Sequence, residues 1–258
     1  MLWDSRCTHC GMCFGHCPQE AIRPVKHSDG QIYYVTDRAL CDRCGECIAV
    51  CPSAARELVG RWMSVADVIN VIERDRMFYE ESDGGVTFSG GEPLAQPAFL
   101  AEVLQLCKSL DIHTAVDTSG YAAWDVLERI CAYTDLFLYD LKLMDDNRHR
   151  TYTGVSNHRI LENLRALTER RKPVIIRFPL IPGLNDDEDN LHQLGEFVAG
   201  LPSLVRMDVL PYHPSALGKY NRLGQPYFLP DTRTPSNERL NEIIDVFEQY
   251  RLTVKIGG

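Results

Sequence analysis

The sequence has no apolar run approaching the ~18 residues that a membrane-spanning helix needs. It has no basic surplus either. Its 27 Lys and Arg stand against 36 Asp and Glu, for a formal net charge of −9, so it lacks the electrostatic footprint of a nucleic-acid or anionic-membrane binder. The N-terminus shows no basic region followed by an apolar core, so no secretion leader is read and the cytoplasm is the expected compartment. Beyond residue 51 cysteine is nearly absent, with only Cys107 and Cys131. A secreted disulfide scaffold spreads its cysteines through a short chain. Here the other eight crowd into the first fifth of the sequence, which favours metal over disulfide. What remains is an ordinary soluble composition, 45% hydrophobic and 24% charged over 258 residues. That length suffices for one large domain, or a medium domain plus a small module.

The crowded cysteines form two copies of C-x2-C-x2-C-x3-C-P. The first uses Cys7, Cys10, Cys13, Cys17 and Pro18, the second Cys41, Cys44, Cys47, Cys51 and Pro52. A [4Fe-4S] cube takes four thiolates. A tight C-x2-C-x2-C loop supplies three, and the fourth comes from the other copy. The spacing therefore predicts Cys7, Cys10, Cys13 and Cys51 around one cluster, and Cys17, Cys41, Cys44 and Cys47 around a second. Gly11 and Gly45 are expected to let backbone pass close to the clusters. A pair of four-cysteine zinc sites is the alternative, but zinc sites usually need only paired C-x2-C units. Residues 1–56 read as a ferredoxin-like module, which implies electron transfer without naming the acceptor.

From about Ser64 the texture changes. "SVADVINVIERDRMFYEE" has helical spacing with Ser64 as N-cap. Short apolar strands and amphipathic helices then alternate to the end: "VTF", "HTAVDT", "LFLYD", "PVIIRFPLI", "VRMDVLPYH" and "TVKI" are the strands. The strands look apolar on both faces, as in a parallel α/β sheet. Polar residues and glycines collect at their C-terminal ends: Gly90, Gly91 and Glu92, then Asp117 to Gly120, Asp140 and Lys142, Arg177, and His213. In a barrel such ends converge on one mouth. Taken singly each has a plainer reading: a glycine turn, a loop cap, a solvated charge, a hydrogen-bonded histidine.

Taken in order, "VTFSGGEPLAQ", "HTAVDTSGY", "LFLYDLKLMDD", "YTGVSN", "IIRFPLIPGLNDD" and "VLPYH" resemble the activating enzymes of glycyl radical enzymes, a family of radical S-adenosylmethionine (SAM) proteins. The resemblance covers about residues 62–258, and the cysteine module matches a subgroup with a two-cluster ferredoxin insert. It implies that Gly90, Gly91 and Glu92 bind the SAM amino group. Asp117 and Asp140 are implied to flank a cation beside the SAM carboxylate, with Thr118 and Leu138 lending backbone oxygens. Lys142, Arg177 and His213 are implied to line the SAM site, and "LIPGLND" to lie by the adenine. It further implies reductive SAM cleavage and hydrogen abstraction from a glycine of a partner glycyl radical enzyme. The electrons would come from a flavodoxin- or ferredoxin-type reductant under anaerobic conditions. A monomer is expected, with no nucleic-acid or membrane partner.

One family element is missing. The SAM-binding cluster is held by C-x3-C-x2-C after the first barrel strand, and no such run occurs here. Cys107 and Cys131 sit on predicted helices as buried structural residues. The expectation is a partial (β/α)6 barrel lacking its first strand and its catalytic loop, with the third cluster present only if that segment is supplied. Such a chain is expected not to cleave SAM by itself. An iron–sulfur electron carrier, or a docking module on a decayed scaffold, is the competing reading.

Overall fold

The computed structural model describes residues 1–28 and 30–257. Among them no helix is long and apolar enough to cross a membrane. In chain order the elements are α1 (Met12–Gly15), β1 (Ile22–Lys26), β2 (Ile32–Thr36), α2 (Glu46–Ala49), α3 (Val65–Glu73), α4 (Arg76–Ser82), β3 (Gly85–Phe88), α5 (Pro97–Ser109), β4 (His113–Thr118), α6 (Trp124–Cys131), β5 (Leu136–Asp140), α7 (Asp146–Thr153), α8 (His158–Glu169), β6 (Val174–Leu180), α9 (Glu188–Ala199), β7 (Leu204–Pro211), α10 (Ala216–Leu223), α11 (Asn237–Glu248) and β8 (Val254–Ile256). They form two compact units. One comprises Met1–Trp62 with Pro214–Pro230, the other Met63–His213 with Asp231–Gly258. The sequence assigns residues 214–230 to the α/β part. Instead they pack on the cysteine-bearing segment, where Leu2 N–H donates to Arg222 O at 3.2 Å and the Arg222 guanidinium lies 4.3 Å from the Trp3 ring centroid.

The smaller unit is built on the antiparallel β1–β2 hairpin, in which Ile22 pairs with Thr36 and Lys26 with Ile32. Each cysteine loop enters a one-turn helix through a left-handed glycine, Gly11 at φ 76° before α1 and Gly45 at φ 90° before α2. The demand on these two glycines is conformational. Among the described residues of this unit only Ala21, Ile22, Ala55 and Arg56 are buried. A core of that size does not offset the entropy of ordering the chain, and bound metal is the usual remedy in such small units.

The larger unit is a six-stranded parallel sheet in the order β3-β4-β5-β6-β7-β8, its end strands unpaired with each other. One sheet face packs under helices α5, α6, α8, α9 and α11. Val116, Phe137, Tyr139, Ile176 and Phe178, all 0% exposed, meet Leu104, Leu127, Leu164, Leu191 and Ile243 there. The opposite face differs from the expected apolar run, for a reason of period. Alternate residues Asp117, Leu138, Asp140 and Arg177 stand half-buried on it, because side chains of a strand point to opposite faces in turn. Asp117 pairs with Leu138 in register, and Asp140 with Arg177.

Ser64 caps α3 as the sequence predicts, and Asp67 returns the bond to the Ser64 N–H at 2.9 Å, completing a capping box. The single helix expected beyond it breaks at Asp75, whose backbone (φ −98°, ψ 7°) leaves the helical region before α4 begins.

Candidate active site and cluster-binding sites

Cys7, Cys10, Cys13 and Cys51 line one small cavity together with Tyr34 and Arg56. The two fourth-position sulfurs have matching partners, since Ala21 N–H donates to Cys17 Sγ and Ala55 N–H to Cys51 Sγ, both at 3.3 Å. Burial pushes the Cys51 thiol up, but bonds from Ser53, Ala55 and Arg56 outweigh it and hold the group below its ordinary value. In the second set, burial raises Cys47, and the neighbouring Cys13, Cys41 and Cys44 add to that while the Arg56 charge opposes it. Among the described residues no three His, Cys, Asp or Glu groups close to the spacing of a single-ion site. A cube holds its thiolates farther apart than one ion does. Clustered sulfurs, N–H bonds to them and a minimal apolar core together fit iron–sulfur groups at these positions.

At the C-terminal end of the parallel sheet the predicted residues do meet. Gly90 takes φ 130°, and a side chain added at Gly90 or Gly91 would meet nothing within 4 Å, so this backbone borders open space. Glu92 turns the other way. Its Oε1 accepts from Thr118 Oγ1 at 2.6 Å and Leu94 N–H at 3.1 Å, and its Oε2 from Ser119 N–H at 3.0 Å and Ser119 Oγ at 2.6 Å. The carboxylate clamps the loop after β3 to the loop after β4. Of "GGE", the backbone of the two glycines is what faces open space.

The next two strand ends carry ion pairs. Asp117 Oδ2 accepts from Arg177 Nη1 at 2.5 Å and from Ser89 Oγ at 2.9 Å. Asp140 Oδ2 accepts from Lys142 Nζ at 3.0 Å. Each implied cation-site carboxylate thus pairs with an implied SAM-site cation. His213 stands exposed two residues beyond β7. Buried asparagines fix the surrounding loops. Asn163 Nδ2 donates to Gly120 O and Ala122 O, Asn185 Nδ2 to Lys142 O and Pro179 O, and Asn190 Nδ2 to Asn185 O. Lys142 is therefore set by a tie between the β5 and β6 loops.

One pair escaped the sequence reading. Asp208, its side chain 3% exposed, takes a two-pronged bond from Arg206, Nε to Oδ1 at 2.7 Å and Nη2 to Oδ2 at 3.1 Å. Asp208 is level with Arg177 on the site face. The alternation in "VRMDVL" was the available signal. Cys107 and Cys131 are buried as expected, and burial pushes the Cys107 thiol up to about 11.

Comparison with known proteins bears on this arrangement. The family model described as "Radical SAM superfamily" matches residues 5–194. The chain is 43% identical over 258 residues to the trans-4-hydroxy-L-proline dehydratase activating enzyme of Clostridioides difficile, covering 99% of this chain and 83% of that protein. It is 40% identical to the choline trimethylamine-lyase activating enzyme of Oleidesulfovibrio alaskensis, covering 98% and 82%. A domain of pyruvate-formate lyase-activating enzyme from Bacteroides vulgatus superposes at TM-score 0.58 with 39% identity, covering 68% of this chain and 99% of that one.

Proposed function

The chain belongs to the radical SAM superfamily, its relatives being activating enzymes of glycyl radical enzymes, and on that premise we propose that it serves activation of a partner glycyl radical enzyme. The observation that carries this is the gathering of the Gly90–Gly91 backbone, the Asp117–Arg177 pair and the Asp140–Lys142 pair at one end of the parallel sheet. The chemistry that SAM and iron–sulfur clusters supply in such a family is one-electron reductive cleavage of SAM, followed by hydrogen abstraction from a backbone glycine.

This chain's residues would bind and orient. The open backbone of Gly90 and Gly91 would take the amino group of SAM. Lys142 and Arg177 would take its carboxylate. Their present ion pairs are partly exposed, at 35% and 26% of the cationic side chains, so a ligand can reach the cations. Exchange onto a ligand carboxylate keeps each cation paired, and frees Asp117 and Asp140, with the backbone oxygens of Thr118 and Leu138, for a cation. His213 would complete the rim. Glu92 would hold the loops while touching no ligand. In the smaller unit, Cys7, Cys10, Cys13 and Cys51 would hold one [4Fe-4S] cluster, and Cys17, Cys41, Cys44 and Cys47 the other. A flavodoxin- or ferredoxin-type protein would supply electrons.

The 258 residues contain no C-x3-C-x2-C run, so we expect them to bind SAM weakly and not to cleave it alone. Supplying a segment with that motif is expected to restore cleavage. The test is 5′-deoxyadenosine formation with SAM and dithionite, followed by electron paramagnetic resonance for a glycyl radical on a partner. Cleavage by the chain alone refutes the first expectation. No cleavage after cluster loading of the supplemented chain refutes the second, and would favour the electron-carrier or docking reading.

A further inference from the structure

Among the described residues, Arg56 is the one charged residue in the small core of the cysteine-bearing unit, at 6% exposed. Its guanidinium is bonded only to neutral oxygens, Nη1 to Thr36 Oγ1 at 2.7 Å and Nη2 to Tyr34 O at 2.6 Å. Among the described residues no Asp or Glu forms an ion pair with it. A cation withdrawn from water without an anion is costly, and such residues are retained where an anion completes them. The groups within reach are cysteine sulfurs, which carry negative charge once they hold a cluster. Arg56 lines the cavity of Cys7, Cys10, Cys13 and Cys51, its backbone N–H is directed to the Cys51 sulfur, and its charge opposes the rise of the Cys47 thiol in the other set. Tyr34, whose carbonyl holds the guanidinium, also lines the first cavity. One buried position thus lines the first ligand set, and its charge reaches the second.

We propose that Arg56 is a fixed counter-charge shared by the two iron–sulfur clusters, one that favours their reduced state and raises both reduction potentials. This rests on the reading of the eight cysteines as two [4Fe-4S] sites. A four-thiolate cube gains one negative charge on taking up an electron. A nearby permanent cation therefore stabilises the reduced form more than the oxidised one, and low local dielectric enlarges the difference. Arg is suited to the task because it does not deprotonate and its fork is held by two directed bonds.

The test uses the full chain, reconstituted with iron and sulfide under anaerobic conditions. Iron is counted, and both clusters are titrated with dithionite while electron paramagnetic resonance follows the reduced signals. Wild type is expected to hold about eight irons. Arg56→Gln is expected to make reduction of each cluster at least about tenfold less favourable, about 59 mV for one electron. Arg56→Lys, which keeps the charge, is expected to stay near wild type. So is Arg23→Gln, which removes an exposed charge in the same unit. A wild type that holds no such iron would overturn the two-cluster reading and the counter-charge with it. Full loading with unmoved potentials in Arg56→Gln overturns the counter-charge alone. If Arg56→Gln does not load, loading of Arg56→Lys supports the proposal, and equal failure of both variants overturns it.

Discussion

Gly11 and Gly45 occupy the same place in the two-fold cysteine repeat, yet replacing each by alanine is expected to have different consequences. Both residues have positive φ, 76° and 90°, so alanine at either place carries the left-handed penalty of roughly 1–2 kcal/mol. Their surroundings differ. A Cβ on Gly11 would fall 2.5 Å from the Tyr34 hydroxyl and 2.9 Å from its Cζ, whereas on Gly45 the nearest atom is Leu58 Cδ1 at 3.9 Å. Tyr34 is not free to give way, since its ring stacks on Phe14 at 6.0 Å between centroids and its carbonyl holds Arg56. Overpacking of this kind typically adds about 1–3 kcal/mol. Taking about 2 kcal/mol, Gly11→Ala should hold its cluster roughly 30-fold more weakly than Gly45→Ala holds the other. The assay is iron retained after a chelator challenge, with electron paramagnetic resonance showing which cluster is lost. Tyr34→Phe in the Gly11→Ala background removes the nearer atom and should recover part of the loss. Equal iron loss in the two alanine variants, or no recovery from Tyr34→Phe, would refute the reasoning.

Two further outcomes are expected. Glu92→Ala strands the four donors that now meet its carboxylate. It should cost about 3 kcal/mol, lowering the thermal midpoint of the α/β unit by about 6–12 °C; an unchanged midpoint would show that these bonds are not held in solution. Asp187 is kept below the ordinary carboxylate range chiefly by Arg148, which donates to both of its oxygens. A depressed carboxylate stabilises above its unfolded-chain pKa near 4, and that contribution is lost as pH falls through the lower folded value. Asp187→Asn should therefore lower the midpoint by a few degrees at pH 7 and not at pH 3, and a deficit equal at both pH values would contradict this.

Much of this was legible in the sequence, for identifiable reasons. The strands could be read because their apolar runs are bounded by turn residues. Period was misjudged on the site face. The runs around Asp117, Asp140 and Arg177 looked apolar throughout, although each polar residue falls at a position where the pleat turns it away from the helices. Helix α7 was missed because "DNRHRTYT" has no apolar stripe. It is held by its ends, where Asp145 Oδ1 accepts from Arg148 N–H at 2.7 Å and Gly154 closes in the left-handed region, and by the burial of His149. The Arg206–Asp208 pair and the role of Glu92 lay out of reach because they depend on which side chains face one another across strands and loops. The packing of residues 214–230 on the cysteine unit could not be read at all, since chain order says nothing of a return across 150 positions.

That return has a consequence in time. Synthesis at roughly 5–20 residues per second separates Trp62 from Pro214 by roughly 8–30 s. Both segments pass the same exit tunnel, so the eight cysteines emerge about that interval ahead of α10, whose Leu223 carbonyl receives Arg38 and whose Arg222 covers Trp3. The nascent unit waits with open thiols, so its window for taking up the wrong metal or meeting oxygen is set by the speed of translation.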